Sequence, residues 1–152
     1  MVVRRTVEDL KDVFEDVTGV AGDTIVYEVN NKYYGDSKKH LMVGTTIVYP
    51  GDVNFEYFMT KGHKHVKPTA EVYYCLEGTG IVVLQDENDR VIEHRLEPGE
   101  YVYCGPKVAH KVVNDGDTPL KFLCVCRSDS GHDYSVKFKK RYFVEGDVTR
   151  GD

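Results

Sequence analysis

The stretch T-K-G-H-K-H-V-K-P-T-A-E, residues 60–71, holds the side chains best suited to chemistry. His63 and His65 stand two positions apart, and alternate side chains of an extended strand share a face, so both imidazoles can reach one point. That is a metal-ligand spacing. After a short loop marked by Pro68, Glu71 opens the apolar run E-V-Y-Y-C-L and can return a carboxylate to the same place. A fourth ligand lies far downstream, where P-G-E-Y-V-Y-C-G-P-K-V-A-H-K-V-V-N supplies His110 from its own strand-like segment, closed by Asn114. Three histidines and one glutamate suit Fe, Mn, Ni or Zn, with open positions for substrate or water.

Such a set needs a rigid scaffold. From Ile25 onward the chain breaks into short β-rich runs separated by Gly, Asn, Asp and Pro: I-V-Y-E-V, M-V-G-T-T-I-V-Y, V-N-F-E-Y-F-M-T, E-V-Y-Y-C-L, I-V-V-L-Q, V-I-E-H-R-L, Y-V-Y-C, K-V-V-N, L-K-F-L-C-V-C and Y-S-V-K-F-K. About ten strands at this spacing predict an antiparallel sandwich or barrel. D-E-N-D at 86–89 and N-D-G-D at 114–117 read as hairpin turns. The first seventeen residues read as a helix. Thr6 is its N-cap, Glu8 and Asp9 fall in its first turn, and Val7, Leu10, Val13, Phe14 and Val17 recur at helical spacing until Gly19 and Gly22 end it. One domain over 1–152 is expected, with helix and connector at 1–22, barrel at 23–143 and a polar, frayed tail at 144–152.

Composition narrows the function. A hydrophobic fraction of 41% with 30% charged residues is that of a globular protein, and the net charge of −5 argues against a nucleic-acid partner. No apolar run approaches membrane-spanning length, and the first ten residues lack the apolar core of a secretion signal, so a cytoplasmic location without membrane association is expected. Cys75, Cys104, Cys124 and Cys126 sit among β-branched and aromatic residues with no C-x-x-C pair, and read as reduced core cysteines.

The two histidine-bearing stretches resemble the two motifs of the cupin superfamily: His63-x-His65, Glu71 and Gly78 in the first, Pro98-Gly99, Pro106, His110 and Asn114 in the second. Five residues intervene between His65 and Glu71, against three or four in the usual pattern, which points to a subfamily. Within cupins, Y-P-G, E-Y-F-M-T-K-G-H-K-H, A-E-V-Y and G-H-D-Y at 131–134 are similar to the cupin-type phosphoglucose isomerases known mainly from archaea. Several blocks in order, from Tyr27 to Tyr134, are more specific than one motif.

That resemblance implies an all-β antiparallel double-stranded β-helix, a jelly-roll barrel with a short N-terminal helix. It implies a metal-dependent isomerase of glucose 6-phosphate and fructose 6-phosphate, acting in glycolysis and gluconeogenesis, with mannose 6-phosphate a further candidate substrate. Iron is the first expectation for the metal, with Mn, Ni and Zn as others, and a homodimer is expected. The metal ligands would be His63, His65, Glu71 and His110. Phosphate would be held by Tyr27, Thr46, Thr60, the Gly62 backbone and Tyr134, with Tyr73 and His132 also on the substrate side. Strict alternation puts Thr60 opposite His63, so this grouping requires a bulge, for which Gly62 is the natural place.

The reaction moves two hydrogens between neighbouring carbons. A metal would polarise the carbonyl, and Glu71 would carry the proton, although a ligand role for the same carboxylate competes with a role as base. A hydride shift needing no base stays open. Where the family has an aromatic pair after the second-motif prolines, this chain has Lys107 and Val108, and Gly105 replaces the first proline, which predicts an altered pocket rim. A non-catalytic sugar-binding or regulatory cupin and a metal-dependent dioxygenase are the alternatives, because one fold hosts all three. His94 is expected to face inward and His40 to be solvated.

Overall fold

The computed structural model describes residues 1–150, built almost wholly of antiparallel strands. One sheet has six strands in the order β1 (Val2–Thr6), β2 (Ile25–Tyr33), β3 (Leu41–Val48), β11 (Leu120–Arg127), β6 (Glu71–Glu77) and β9 (Tyr101–Cys104). A second has three, in the order β10 (Ala109–Val113), β7 (Gly80–Gln85) and β8 (Val91–Leu96). Two short pairs, β4 (Asp52–Val53) with β5 (Glu56–Tyr57) and β12 (Lys140–Arg141) with β13 (Val148–Thr149), complete the set.

Sequence period separates these strands by depth. Along β11 every second residue, Leu120, Phe122, Cys124 and Cys126, is buried, the signature of a strand with one inward face. By contrast β7, G-I-V-V-L-Q, is buried along its whole length and reads as a continuous apolar run. Val26, Val48, Val82, Val112 and Leu120 meet in the core between the sheets, and each contributes roughly 1.5–3 kcal/mol by leaving water. The sheets do not merge into one closed ladder. Isolated bridges Met59↔Val113 and His63↔His110 instead tie the chain after β5 to β10, and so bring the first motif against the second.

Several local expectations are corrected. The predicted N-terminal helix shrinks to one 3-10 turn, Glu8–Leu10, preceded by β1 on the edge of the large sheet. The N-cap of that turn is Val7 rather than Thr6, which ends β1; Thr6 still exchanges bonds with Asp9, its N–H donating to Asp9 Oδ2 (2.9 Å) and the Asp9 N–H to Thr6 Oγ1 (3.3 Å). What misled is that Val7, Leu10 and Phe14 are buried by an irregular wrap over the core, which gives spaced apolar residues without a helix. D-E-N-D does join the β7–β8 hairpin, with Asp89 at φ 61°. N-D-G-D is a turn but no hairpin, because β10 pairs with β7 while β11 pairs with β3 and β6. Asn114 fixes that crossing from one sheet to the other, its side-chain amide donating to Val48 O and Thr118 O at 2.9 Å each.

The expected strand V-N-F-E-Y-F-M-T folds back on itself at Asn54 and Phe55, both at positive φ, to give β4 and β5. Y-S-V-K-F-K forms no strand. The Gln85 amide holds it instead, donating to Lys137 O and accepting from the Lys139 N–H at 2.9 Å each. The tail is not frayed from 144, since β13 pairs with β12 and the Arg150 N–H donates to Lys139 O at 2.7 Å; its last two residues, 151 and 152, lie outside the described residues. His94 is exposed rather than inward. All four cysteines are free and buried.

Candidate metal centre

The backbone sets the ligands. His63 and His110 exchange both hydrogen bonds of a narrow antiparallel pair, N–H to O at 3.1 and 2.9 Å, which places their side chains together. Glu71 begins β6, opposite Cys104 of β9 and Cys126 of β11, and points inward. Candidate ligand atoms from His63, His65, Glu71 and His110 all lie within 4.8 Å of one another. His63 Nε2 and His110 Nε2 are 3.1 Å apart, and His65 Nε2 is 3.0 Å from Glu71 Oε1.

Outer partners orient the rings. His65 Nδ1 donates to Thr69 O at 2.8 Å, and His110 Nδ1 donates to Val108 O at 3.2 Å, so the Nε2 atoms are the ones turned to the common point. Three imidazole nitrogens and a carboxylate oxygen converging in a buried space are the donor set of a divalent transition metal. The residues therefore fit the ion that the motif implies.

Electrostatics agree. Burial, with His110 nearby, pushes His63 down to about 2, and burial also lowers His110, so both imidazoles are neutral at pH 7. Burial alone would raise the Glu71 carboxyl, but the hydrogen bond from His65, with the His110 and His63 imidazoles close by, holds it at about 2. His65 moves the other way: burial works against its proton, yet the hydrogen bond and charge of Glu71 raise it above the usual histidine value.

The seven substrate-side candidates, Tyr27, Thr46, Thr60, Gly62, Tyr73, His132 and Tyr134, all line one cavity of about 180 Å³ with His63, Glu71 and His110. His65 does not line it. Gly62 has φ +79°, the irregularity that lets Thr60 and His63 share a side, and a Cβ there would meet the Phe138 ring at 2.6 Å. Tyr27 Oη accepts the Lys61 N–H at 3.3 Å, and the Val112 N–H donates to Thr60 Oγ1 at 3.0 Å. G-H-D-Y is held beside the metal motif by paired backbone bonds between Lys64 and Asp133, 3.0 and 2.7 Å. His132 stacks on Tyr134 with ring centres 5.6 Å apart and lies 4.4 Å from the His63 ring. The expected change at the rim is not there: neither Lys107 nor Val108 lines the cavity, Lys107 being exposed at φ 66°.

Three polar lining residues were not among the site residues expected from the sequence. Arg5 of β1 stands directly across from Tyr27 in the β1–β2 register, and its charge acts on both Tyr27 and Tyr134 against the effect of burial. Lys61 places its ammonium over the Tyr134 ring, 4.6 Å from its centre. Asn31 also lines the cavity, while its buried side-chain oxygen, without a hydrogen-bond partner, packs against Gly44, where a Cβ would lie 2.0 Å from it. A lone glycine inside the strand M-V-G-T-T was the available signal.

The fold is that of a cupin, and the four side chains are a donor set that could hold a metal ion. Solved structures agree on the fold: an oxalate oxidase in complex with the substrate analogue glycolate superposes with a TM-score of 0.62 at 13% identity, covering 81% of this chain and 63% of that one. A cupin-2 domain of an XRE family transcriptional regulator from Enterobacter cloacae gives 0.51 at 14%, covering 67% and 96%. Sequence carries the assignment further, because the glucose-6-phosphate isomerase (GPI) family model matches residues 4–147. The glucose-6-phosphate isomerase of Thermococcus litoralis is 39% identical over 91% of this chain and 76% of its own length. That of Pyrococcus abyssi is 42% identical over 89% and 74%. The chain belongs to the cupin-type glucose-6-phosphate isomerase family.

Proposed function

We propose that this chain interconverts glucose 6-phosphate and fructose 6-phosphate in a metal-dependent reaction. The observation that carries this reading is the sharing of one cavity by three of the four candidate ligands, His63, Glu71 and His110, and a hydroxyl-rich mouth with two cations, Arg5 and Lys61. Bound by His63, His65, Glu71 and His110, a divalent transition metal would supply a Lewis acid for the sugar carbonyl. Arg5 and Lys61 offset the charge of the phosphate. Hydroxyls of Tyr27, Thr46, Thr60 and Tyr134, with the Gly62 N–H, fix its position and so the reach of the sugar into the site.

Glu71, ionised at neutral pH, takes the proton from one carbon next to the carbonyl and returns it to the other. A hydride shift is the second reading, favoured by one observation: a carboxyl held at about 2 is a weak base. Conversion of fructose 6-phosphate in deuterated water separates them, because proton transfer brings solvent deuterium into the product and a hydride shift keeps the substrate hydrogen. Iron is the metal we propose first, with Mn, Ni and Zn to be compared in reconstituted protein.

The same reading includes a homodimer in the cytoplasm. Its support is the outer face of β6 and β9, where Tyr74 faces Tyr101 and Val72 faces Tyr103, with Tyr101 73% and Tyr103 61% exposed. An apolar face of this kind on an edge strand suits a second copy. Among the described residues no helix is long and apolar enough to cross a membrane. The test of function is a coupled assay of fructose 6-phosphate conversion with metal-loaded protein.

A further inference from the structure

A second cavity, about 820 Å³, adjoins the metal pocket and shares Lys61 and Tyr134 with it. Its wall carries Lys61, Lys111, Lys137, Lys139, Arg141 and Arg150 against one acid, Asp12, in a chain whose net charge is −5. Part of that charge is already matched. Arg141 pairs with Glu56 at 2.9 Å, Arg150 pairs with Glu15, and Lys139 lies 3.9 Å from Asp89. Lys61, Lys111 and Lys137 have no carboxylate partner among the described residues.

Lys111 is the telling one, because it is only 4% exposed. Its ammonium donates to Lys140 O at 3.3 Å and lies 4.9 Å from the centre of the Phe138 ring. The buried carboxylate that acts on it, Glu56, is committed elsewhere: Arg141 Nη1 contacts its oxygens at 3.1 and 2.9 Å, and the Glu15 N–H donates to Oε1 at 2.8 Å. Arg141 also reaches Glu15 at 3.7 Å, a carboxylate that Arg150 shares, so the three cations Arg141, Arg150 and Lys111 face two carboxylates and one positive charge is left over. Such a charge is costly without a counter-ion.

We propose that this cavity is a second anion site, taking a phosphate-class oxyanion between Lys111, Lys137 and Lys61. Three ammonium groups supply the donors, and Phe138 supplies an apolar wall for the organic part of a phosphate monoester. Lys61 faces both cavities, so an anion here competes with the metal pocket for that ammonium.

Metal-loaded protein titrated calorimetrically with orthophosphate, and in parallel with AMP, tests this. Two binding events per chain are expected. Thr46→Val weakens one, while Lys137→Glu and Lys111→Met each weaken the other at least tenfold. Lys137 is exposed, so its variant keeps the test decisive even where Lys111→Met fails to fold. Tighter binding of AMP than of orthophosphate assigns the site to esters, and equal affinity assigns it to the free ion. One anion per chain, weakened by Thr46→Val and untouched by Lys137→Glu, overturns the proposal.

Discussion

Two glutamates are almost fully buried, Glu71 at 4% and Glu56 at 1% exposure, and they sit in opposite company. Around Glu71 stand three imidazoles whose ring nitrogens crowd one point, with His63 and His110 held neutral by burial. Around Glu56 stand a guanidinium, a backbone N–H and, further off, the Lys111 ammonium. The first cluster holds lone pairs that call for a cation. The second is saturated with donors and has positive charge left over, and it ties the segments around Glu15 and Arg141 to β5. Burial of a carboxylate thus says little about function until the titration state of its neighbours is counted.

The comparison breaks most sharply at Glu71. Glu71→Gln is expected to lower turnover by at least the ~10²-fold associated with loss of general acid–base catalysis, even with metal resupplied. His63→Ala combined with His110→Ala should abolish stoichiometric metal, which elemental analysis will show. Glu56→Gln should act on stability alone. Stripping Arg141 and Lys111 of their shared carboxylate costs about 3 kcal/mol in urea denaturation, with metal content unchanged.

Lys111 sharpens the contrast through pH. Burial pushes its ammonium down from 10.5 to about 8. Between those values the unfolded chain holds a proton that the folded one has shed, so stability should rise with pH across that window and stay flat for Lys111→Met. The full rise is about 3 kcal/mol if no other group intervenes. At the cavity mouth Arg5→Ala should raise the KM for glucose 6-phosphate about tenfold, equivalent to about 1.4 kcal/mol, with little change in kcat, because phosphate binding is remote from the reacting carbons. The smallest effect is on assembly: Tyr101→Asp with Tyr103→Asp should shift a dimer toward monomer in sedimentation without changing metal content.

These clusters also differ in how much the sequence reveals. His63, His65 and Glu71 lie within one short stretch, and His110 sits in a motif of its own, so this converging donor set is legible from local spacing. Arg141 and Glu56 are 85 positions apart, and nothing local to K-R-Y-F announces a partner. Arg5 was hidden for a related reason. Its face is defined by pairing with Tyr27, a long-range choice, whereas the capping pattern at Thr6 and the spaced apolar residues after it suggested a helix. The all-β architecture was readable from strand-length runs between turn residues. Which strands pair was not, as N-D-G-D shows: its residues specify a turn, and only the packing of the two sheets decides that the chain crosses between them there.

The central claim is that the ligands of Glu71's cluster and the cationic mouth serve one reaction on a phosphorylated sugar. It is tested most directly by measuring fructose 6-phosphate isomerisation before and after removal of bound metal, and again after restoring Fe, Mn, Ni or Zn. The account predicts turnover that disappears with the metal, returns with at least one of these ions, and is absent with fructose itself. No isomerisation with any of the four ions, or equal activity on fructose and fructose 6-phosphate, would contradict it.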